Sequence, residues 1–288
     1  MPSFTVKFPI LVYHQIGIEI NLDYLVFEKK LFAEQMVYIR RRFWPVALGR
    51  LMEMINRSEP IPPNAVVITF DDGYASTFSH AFPILQQHQI PATLFITTGF
   101  IDRSVSAPYR AKMLSWKMIQ EMHRSGIECG AHTVTHPNLS SCDEPKSLYE
   151  IKSSKDRIEQ KIQSSVKTFA YPYGHSQSFT KMTQKWVRQS GYIGACTTIP
   201  GQNGHNTNPF ALRRISLAKS QIRYFAMQCS ELSQGNLPAH ERAELSGMNQ
   251  KVIKLWKARY WWLDKRLKRD DFFPLKMKMA RADSFKWR

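Results

Sequence analysis

Short apolar runs alternate along most of the chain with longer segments in which apolar positions recur at helical spacing. Apolar runs of about four to eight residues, bounded by polar or turn residues, are typical of buried strands. The pattern therefore predicts strands at Ile10 to Tyr13, Val66 to Phe70, Thr93 to Ile96, Ile127 to Ala131, Thr168 to Ala170 and Ile193 to Cys196.

Three segments predict amphipathic helices. One begins after Ser115, a favourable N-cap residue, runs through Met122 and ends near Gly126. The other two span Glu144 to Ser164 and Phe179 to Ser190. Repeated strand-then-helix units favour an α/β fold with a parallel sheet and right-handed crossovers.

The segment from Gln234 to Pro238 interrupts this alternation, because its glycine and proline are typical of a loop. We therefore predict an α/β domain over residues 1–230 and a tail over residues 231–288. A helical pattern resumes in the tail near Glu241.

Two adjacent carboxylates, Asp71 and Asp72, follow the second predicted strand and precede Gly73. Neighbouring anions repel each other unless a positive group lies beside them. A surface turn would also accommodate this sequence, since aspartate and glycine are both favoured in turns. The pair is thus a candidate site whose counter-charge must come from elsewhere.

Two histidines, His132 and His136, follow the strand predicted at Ile127 to Ala131. Four residues apart, they share a face if the backbone turns helically after that strand. Neutral imidazoles are common metal ligands, and one carboxylate with two imidazoles makes an open site of the catalytic type. A histidine pair alone is as typical of a surface or a helix cap, but the aspartate pair favours a metal site.

Three segments together resemble the signature motifs of the polysaccharide deacetylases with a NodB-homology domain, carbohydrate esterase family four. They are Phe70-Asp71-Asp72-Gly73, His132-Thr133-Val134-Thr135-His136 and Tyr171-Pro172-Tyr173-Gly174, and the resemblance covers roughly residues 8 to 220. It implies a distorted, incomplete (β/α) barrel with its site at the carboxyl ends of the strands. It also implies a metal-dependent hydrolase that removes N-acetyl groups from an amino sugar in a polysaccharide or glycan precursor.

The resemblance also implies roles for individual residues. Asp72, His132 and His136 would hold a divalent metal; zinc suits such a nitrogen-rich open site, although other first-row ions fit comparably. Asp71 would be the general base. The backbone N–H of Tyr173 would stabilise the oxyanion, unless its segment is a simple proline-containing turn.

The general acid is expected at His14. Many relatives carry it in a Leu-x-x-His segment near the end of the domain, whereas here Leu11-Val12-Tyr13-His14 stands near the beginning. This resembles the circularly permuted branch that includes poly-N-acetylglucosamine deacetylases. His175 and His205 are alternative acids, and a merely structural His14 is a further alternative.

Two other positions depart from the family pattern. Ala170 stands where relatives with an Arg-x-Pro-Tyr motif have an arginine that orients the base. Arg214 could serve from another strand, or it could be an ordinary surface arginine. The Asp-Trp motif of some relatives is absent, which leaves the apolar wall of the acetyl pocket unassigned.

The net charge of +17 is concentrated in the tail. Residues 251–288 hold thirteen lysines and arginines against four acidic residues, 13 − 4 = +9, together with four of the seven tryptophans. Tryptophan with basic residues fits a membrane surface through residues 240–288, or nucleic acid, or a solvated helix docked on the barrel. Nucleic acid is the least favoured of the three.

The cysteines show no Cys-x-x-Cys spacing, and neither a secretory signal nor a membrane-spanning apolar stretch is evident in the sequence. We therefore expect a cytoplasmic protein, with peripheral contact at the inner face of the membrane as one reading of the tail. The rival functions are deformylation or deacetylation of a lipid-linked amino sugar, and a catalytically silent carbohydrate-binding protein.

Overall fold

A curled sheet of parallel strands runs through the computed structural model, which describes residues 6–17, 25–103 and 111–216. The strands are β1 (Ile10–Tyr13), β2 (Gln15–Gly17), β3 (Val26–Glu28), β4 (Trp44–Pro45), β5 (Ala65–Phe70), β6 (Thr93–Ile96), β7 (Glu128–Ala131), β8 (Thr168–Ala170), β9 (Gly194–Cys196) and β10 (Ile215–Ser216). The helices are α1 (Lys29–Arg42), α2 (Leu48–Asn56), α3 (Phe82–Gln87), α4 (Trp116–Arg124), α5 (Glu144–Ile162) and α6 (Lys181–Gln189).

The strand order in the main sheet is β10-β1-β5-β6-β7-β8-β9, with β4 beside β5 and every pair parallel. The strands β2 and β3 form a separate pair. Helices connect successive strands from β5 to β9, as the alternation of the sequence predicts. The α/β class and the distorted, incomplete (β/α) barrel are confirmed.

A short stretch near the end of the described chain links the two edges of the sheet. Leu212 pairs with Cys196 of β9, and Ile215 pairs with Leu11 of β1. We call residues 212–216 the closing segment. It brings Arg214 between β9 and β1, at the carboxyl ends where the motif residues lie.

Alternate residues of β5 pack on different sides of the sheet. Val66, Ile68 and Phe70 belong to the large cluster that includes the outer helices, whereas Ala65 and Val67 pack in a cluster with α2. The amino end of α2 meets the amino ends of β6 and β7, where Leu48 N–H donates to Thr93 Oγ1 and Gly49 N–H to Glu128. One end of the barrel is therefore filled by α2, and the site lies at the other.

The six predicted strands are confirmed as β1 and β5 to β9, each within one residue of its predicted start. The three predicted helices are confirmed as α4, α5 and α6, and Ser115 caps α4 by accepting from Met118 N–H. None of the helices α1 to α6 in the described residues combines the length and the apolar character that a membrane-spanning segment needs. The predicted boundary near residue 230, the basic tail and Cys229 lie outside the described residues.

Candidate metal-binding active site

The first motif forms a tight turn at the end of β5. Asp71 N–H donates to the Tyr13 carbonyl at 3.0 Å, which continues the pairing of β5 with β1. Asp72 and Gly73 then take positive φ values of 71° and 90°. Aspartate tolerates this left-handed conformation and glycine favours it. The turn therefore directs the two adjacent carboxylates into different surroundings.

The carboxylate of Asp71 is held by Arg214. The two guanidinium Nη atoms donate to Asp71 Oδ1 and Oδ2 at 2.7 and 2.6 Å, and Nε donates to the Thr197 carbonyl at 2.7 Å. Arg214 is only 1% exposed, so the alternative of an ordinary surface arginine is wrong. Burial would raise the pKa of Asp71, but the charge and hydrogen bonds of Arg214 outweigh it and lower that pKa.

The turn after β7 is not helical, which corrects the conformation that would have placed both histidines on one helix face. Thr133 and His136 have positive φ values of 67° and 59°. The two rings nevertheless converge, since Nε2 of His132 and Nε2 of His136 each lie 3.4 Å from Asp72 Oδ1. One donor atom from each of the three residues lies within 4.8 Å of the other two.

The hydrogen bonds around His132 fix its tautomer. Its Nδ1 lies 2.7 Å from the carbonyl of Ala170, which can only accept, so Nδ1 carries a proton. In a neutral ring Nε2 then presents a lone pair to Asp72 Oδ1, a buried oxygen with no hydrogen-bond partner among the described residues. Two facing acceptors repel each other unless a cation, either a proton or a metal ion, lies between them. The donor set therefore fits a metal ion, with a carbonyl orienting the imidazole from behind.

The pKa values reflect this concentration of charge. Burial alone would raise the pKa of Asp72, but the adjacent imidazole of His132 lowers it. Burial alone would lower the pKa of His132, but Asp72 and Asp71 raise it. Burial and the charge of His132 lower the pKa of His136 to about 4. His136 is thus a neutral imidazole at physiological pH, the form that binds metals.

The third motif places Tyr173 beside the metal ligands. Its ring centroid lies 4.9 Å from that of His136, and its φ is 63°. Within the described residues its N–H meets no acceptor, whereas its carbonyl accepts from Thr198 Oγ1 at 2.7 Å. The next residue must be glycine, because a Cβ on Gly174 would lie 2.5 Å from Thr198 N. The turn leaves one backbone donor available next to the histidines.

Among the three candidate acids, the structure brings only His14 near the carboxylates. It follows β1 directly, is half-buried, and contributes to the low pKa values of Asp71 and Asp72. His175 and His205 are exposed and are not among the groups that shift either pKa.

Two residues that support the histidine turn are missing from the sequence-based candidates. His136 N–H donates to Thr133 Oγ1 at 3.0 Å, and the carboxylate of Glu150 accepts from Val134 N–H and Thr135 N–H. Thr133 lies inside the recognised motif. Glu150 lies on α5, where one acidic residue in an amphipathic pattern carries no signal of its own.

Comparison with known proteins supports this description. Residues 58–194 match the sequence model of the family "Polysaccharide deacetylase". The chain is 26% identical over 213 residues to YxkH of Bacillus subtilis, whose name provisionally assigns it to the polysaccharide deacetylases; the match covers 74% of this chain and 72% of YxkH. It is 33% identical over 122 residues to the poly-beta-1,6-N-acetyl-D-glucosamine N-deacetylase of Staphylococcus aureus, covering 39% of this chain and 41% of that enzyme.

The fold matches that of the Streptococcus pyogenes deacetylase PplD, solved in complex with acetate. The TM-score is 0.68 at 24% identity, and the match covers 81% of this chain and all of that one. At this identity the likeness concerns the fold.

Proposed function

We propose that the chain is a polysaccharide deacetylase, as the match of residues 58–194 to that family suggests, and that it hydrolyses the N-acetyl groups of an amino sugar in a polysaccharide with the help of a bound divalent metal. One observation carries this proposal. The Nε2 atoms of His132 and His136 each lie 3.4 Å from Asp72 Oδ1, and the next carboxylate in the chain, that of Asp71, is held by Arg214. The name of the staphylococcal relative suggests β-1,6-linked N-acetylglucosamine as the first substrate to test.

The residues that would hold the metal are Asp72, His132 and His136. When bound, a divalent ion supplies Lewis acidity, which polarises the amide carbonyl and lowers the pKa of water to about 7. We propose zinc, because two imidazoles and one carboxylate form the kind of open site that zinc occupies in hydrolases.

Asp71 is proposed as the general base. Its carboxylate stays ionised because Arg214 lowers its pKa, and the two parallel hydrogen bonds fix its orientation. It takes the proton of the attacking water as oxygen bonds to the acetyl carbon. A base in hydrogen-bond reach of the proton it abstracts contributes about 10²–10⁴-fold to the rate.

Two further groups complete the reaction. The N–H of Tyr173 donates to the amide oxygen as negative charge develops there, an interaction of about 3 kcal/mol for one well-placed donor. His14 then donates a proton to the leaving nitrogen as the C–N bond breaks, giving acetate and a free amine. His14 is proposed for this role because it alone of the candidate acids acts electrostatically on both aspartates.

The experiment is acetate release from β-1,6-linked N-acetylglucosamine oligomers by the zinc-loaded protein and by Asp71→Asn. We expect the variant to lose about 10²–10⁴-fold in kcat and to keep its zinc, since Asp71 is not a ligand. Equal release by both proteins would contradict the proposal. Formate release from N-formyl sugars would favour the deformylase alternative. Binding of the oligomers without any product would favour a silent carbohydrate-binding protein.

A further inference from the structure

The carboxylate of Glu150 reaches from α5 into the turn that carries the two histidines. Its Oε2 accepts from Val134 N–H and Thr135 N–H at 2.8 Å each, and its Oε1 accepts from Thr135 Oγ1 at 2.6 Å. Glu150 is 2% exposed. All three donors lie between His132 and His136, so this one side chain holds the middle of the turn through hydrogen bonds.

The carbonyl side of the same turn is held by the loop after β6. Thr98 N–H donates to the Thr133 carbonyl at 3.1 Å, and Gly99 N–H to the Val134 carbonyl at 2.8 Å. The approach is close, because a Cβ on Gly99 would lie 2.4 Å from that carbonyl oxygen. The backbone therefore secures the carbonyls, whereas the N–H groups of Val134 and Thr135 depend on Glu150.

No lysine or arginine within residues 6–17, 25–103 and 111–216 forms an ion pair with Glu150. A buried carboxylate without a cation is costly unless its oxygens receive hydrogen bonds. Here all of the hydrogen bonds come from the turn, and bonds to an ionised acceptor are about twice as strong as neutral ones. The burial of Glu150 is thus explained by the turn it holds.

We propose that Glu150 is a positioning residue for the metal centre: it fixes the non-helical turn in which His132 and His136 both face Asp72. Glu150 is not one of the residues that would hold the ion. This inference rests on the metal site of the proposed function, but not on the substrate or the reaction. Loss of a residue that orients metal ligands typically lowers metal affinity about 10–100-fold.

The experiment measures zinc affinity by competition with a chromophoric chelator for the full chain and four variants. Glu150→Ala removes every contact, and Glu150→Asp keeps the charge but withdraws it by one methylene. Glu150→Gln removes the charge but keeps the reach: its oxygen can accept the two backbone N–H groups, and its amide can donate to Thr135 Oγ1. Ile151→Ala is the matched control, because Ile151 is fully buried on the same helix and faces the core.

We expect Glu150→Ala and Glu150→Asp to bind zinc about 10–100-fold more weakly and Glu150→Gln to stay within about tenfold of wild type. Ile151→Ala should lower the unfolding midpoint of the apoprotein without weakening zinc binding. Wild-type affinity in Glu150→Asp would overturn the inference, as would an equal loss in Ile151→Ala. If Glu150→Ala does not fold, the contrast between Glu150→Asp and Glu150→Gln decides. Tight zinc binding without acetate release would refute the proposed function alone.

Discussion

Arg214 and Asp71 form a buried bidentate ion pair although 143 residues separate them in the chain. Both side chains are almost inaccessible to water, at 0% and 2% exposure. Such a pair is costly to break because the remaining charge stays buried without a partner. The geometry therefore ties the candidate base to the integrity of the barrel.

Arg214→Met should lower the free energy of unfolding by about 3–5 kcal/mol at neutral pH, since Asp71 is left unpaired in the core. The double variant with Asp71→Asn should recover a large part of this loss. Urea unfolding of the zinc-free proteins measures both values. A double variant less stable than Arg214→Met would contradict the argument.

Gly174→Ala should slow the reaction without removing the metal. A Cβ there would lie 2.5 Å from Thr198 N and displace the turn that presents Tyr173 N–H. A shift of about 1 Å in a catalytic group costs on the order of 10²-fold in kcat. Steady-state kinetics and zinc content measure the two effects.

Gly126→Ala is the control for this variant. Gly126 also has a positive φ, at 94°, but a Cβ there meets nothing within 4 Å. Both alanines strain the backbone, and only the one at Gly174 collides with the site. An equal loss of kcat in the two variants would refute a role for the Tyr173 turn.

His14→Gln should reduce kcat with N-acetylglucosamine oligomers by about 10²–10⁴-fold, because the leaving amine then departs without a proton. The loss should be much smaller with a nitro-substituted N-aryl acetamide, whose leaving group needs less protonation. His175→Gln, at an exposed position, serves as the control. Equal losses with both substrates would remove His14 as the general acid.

Glu128 gives a pH-dependent prediction away from the site. Burial raises its pKa above 4.5 despite hydrogen bonds from Gly49, Thr93 and Thr168. As the pH rises, the folded protein therefore keeps a proton on Glu128 that the unfolded chain releases. The contribution of this proton to stability is complete below about pH 4.5 and is lost as the pH rises through the folded-state pKa of Glu128.

Glu128→Gln cannot titrate and should lack this dependence. The difference in free energy of unfolding between wild type and variant should favour wild type most at pH 4 and decline toward pH 7. Chemical unfolding at several pH values measures it, and the other titrating groups cancel in the difference. A difference that is constant with pH would contradict the raised pKa.

The sequence predicts those parts of the site that are local. Asp71 and Asp72 are contiguous and follow a clear strand, and His132 and His136 lie within one short motif. Their spacing and their position at strand ends are therefore enough to identify them as candidate site residues. The strands themselves are predictable because they are short apolar runs buried on both faces.

The rest of the site could not be predicted, because it depends on contacts between residues that lie far apart in the sequence. The partner of Asp71 is fixed by closure of the sheet, and the conformation of the histidine turn is fixed by Glu150 and by the loop after β6. The spacing of the two histidines therefore suggests the wrong backbone conformation, although both rings do approach Asp72. The helix α1 is not among the predicted helices, although its buried Phe32, Met36 and Ile39 follow helical spacing.

The closing segment has a consequence for biosynthesis. Asp71, Asp72 and both histidines leave the ribosome well before Arg214 does, since Arg214 follows β9 in the chain. A partly translated polypeptide can thus assemble the proposed metal ligands while the neighbouring carboxylate of Asp71 still lacks its guanidinium partner. Hydrolytic competence should begin only once translation has passed residue 216 and this stretch has docked between β9 and β1.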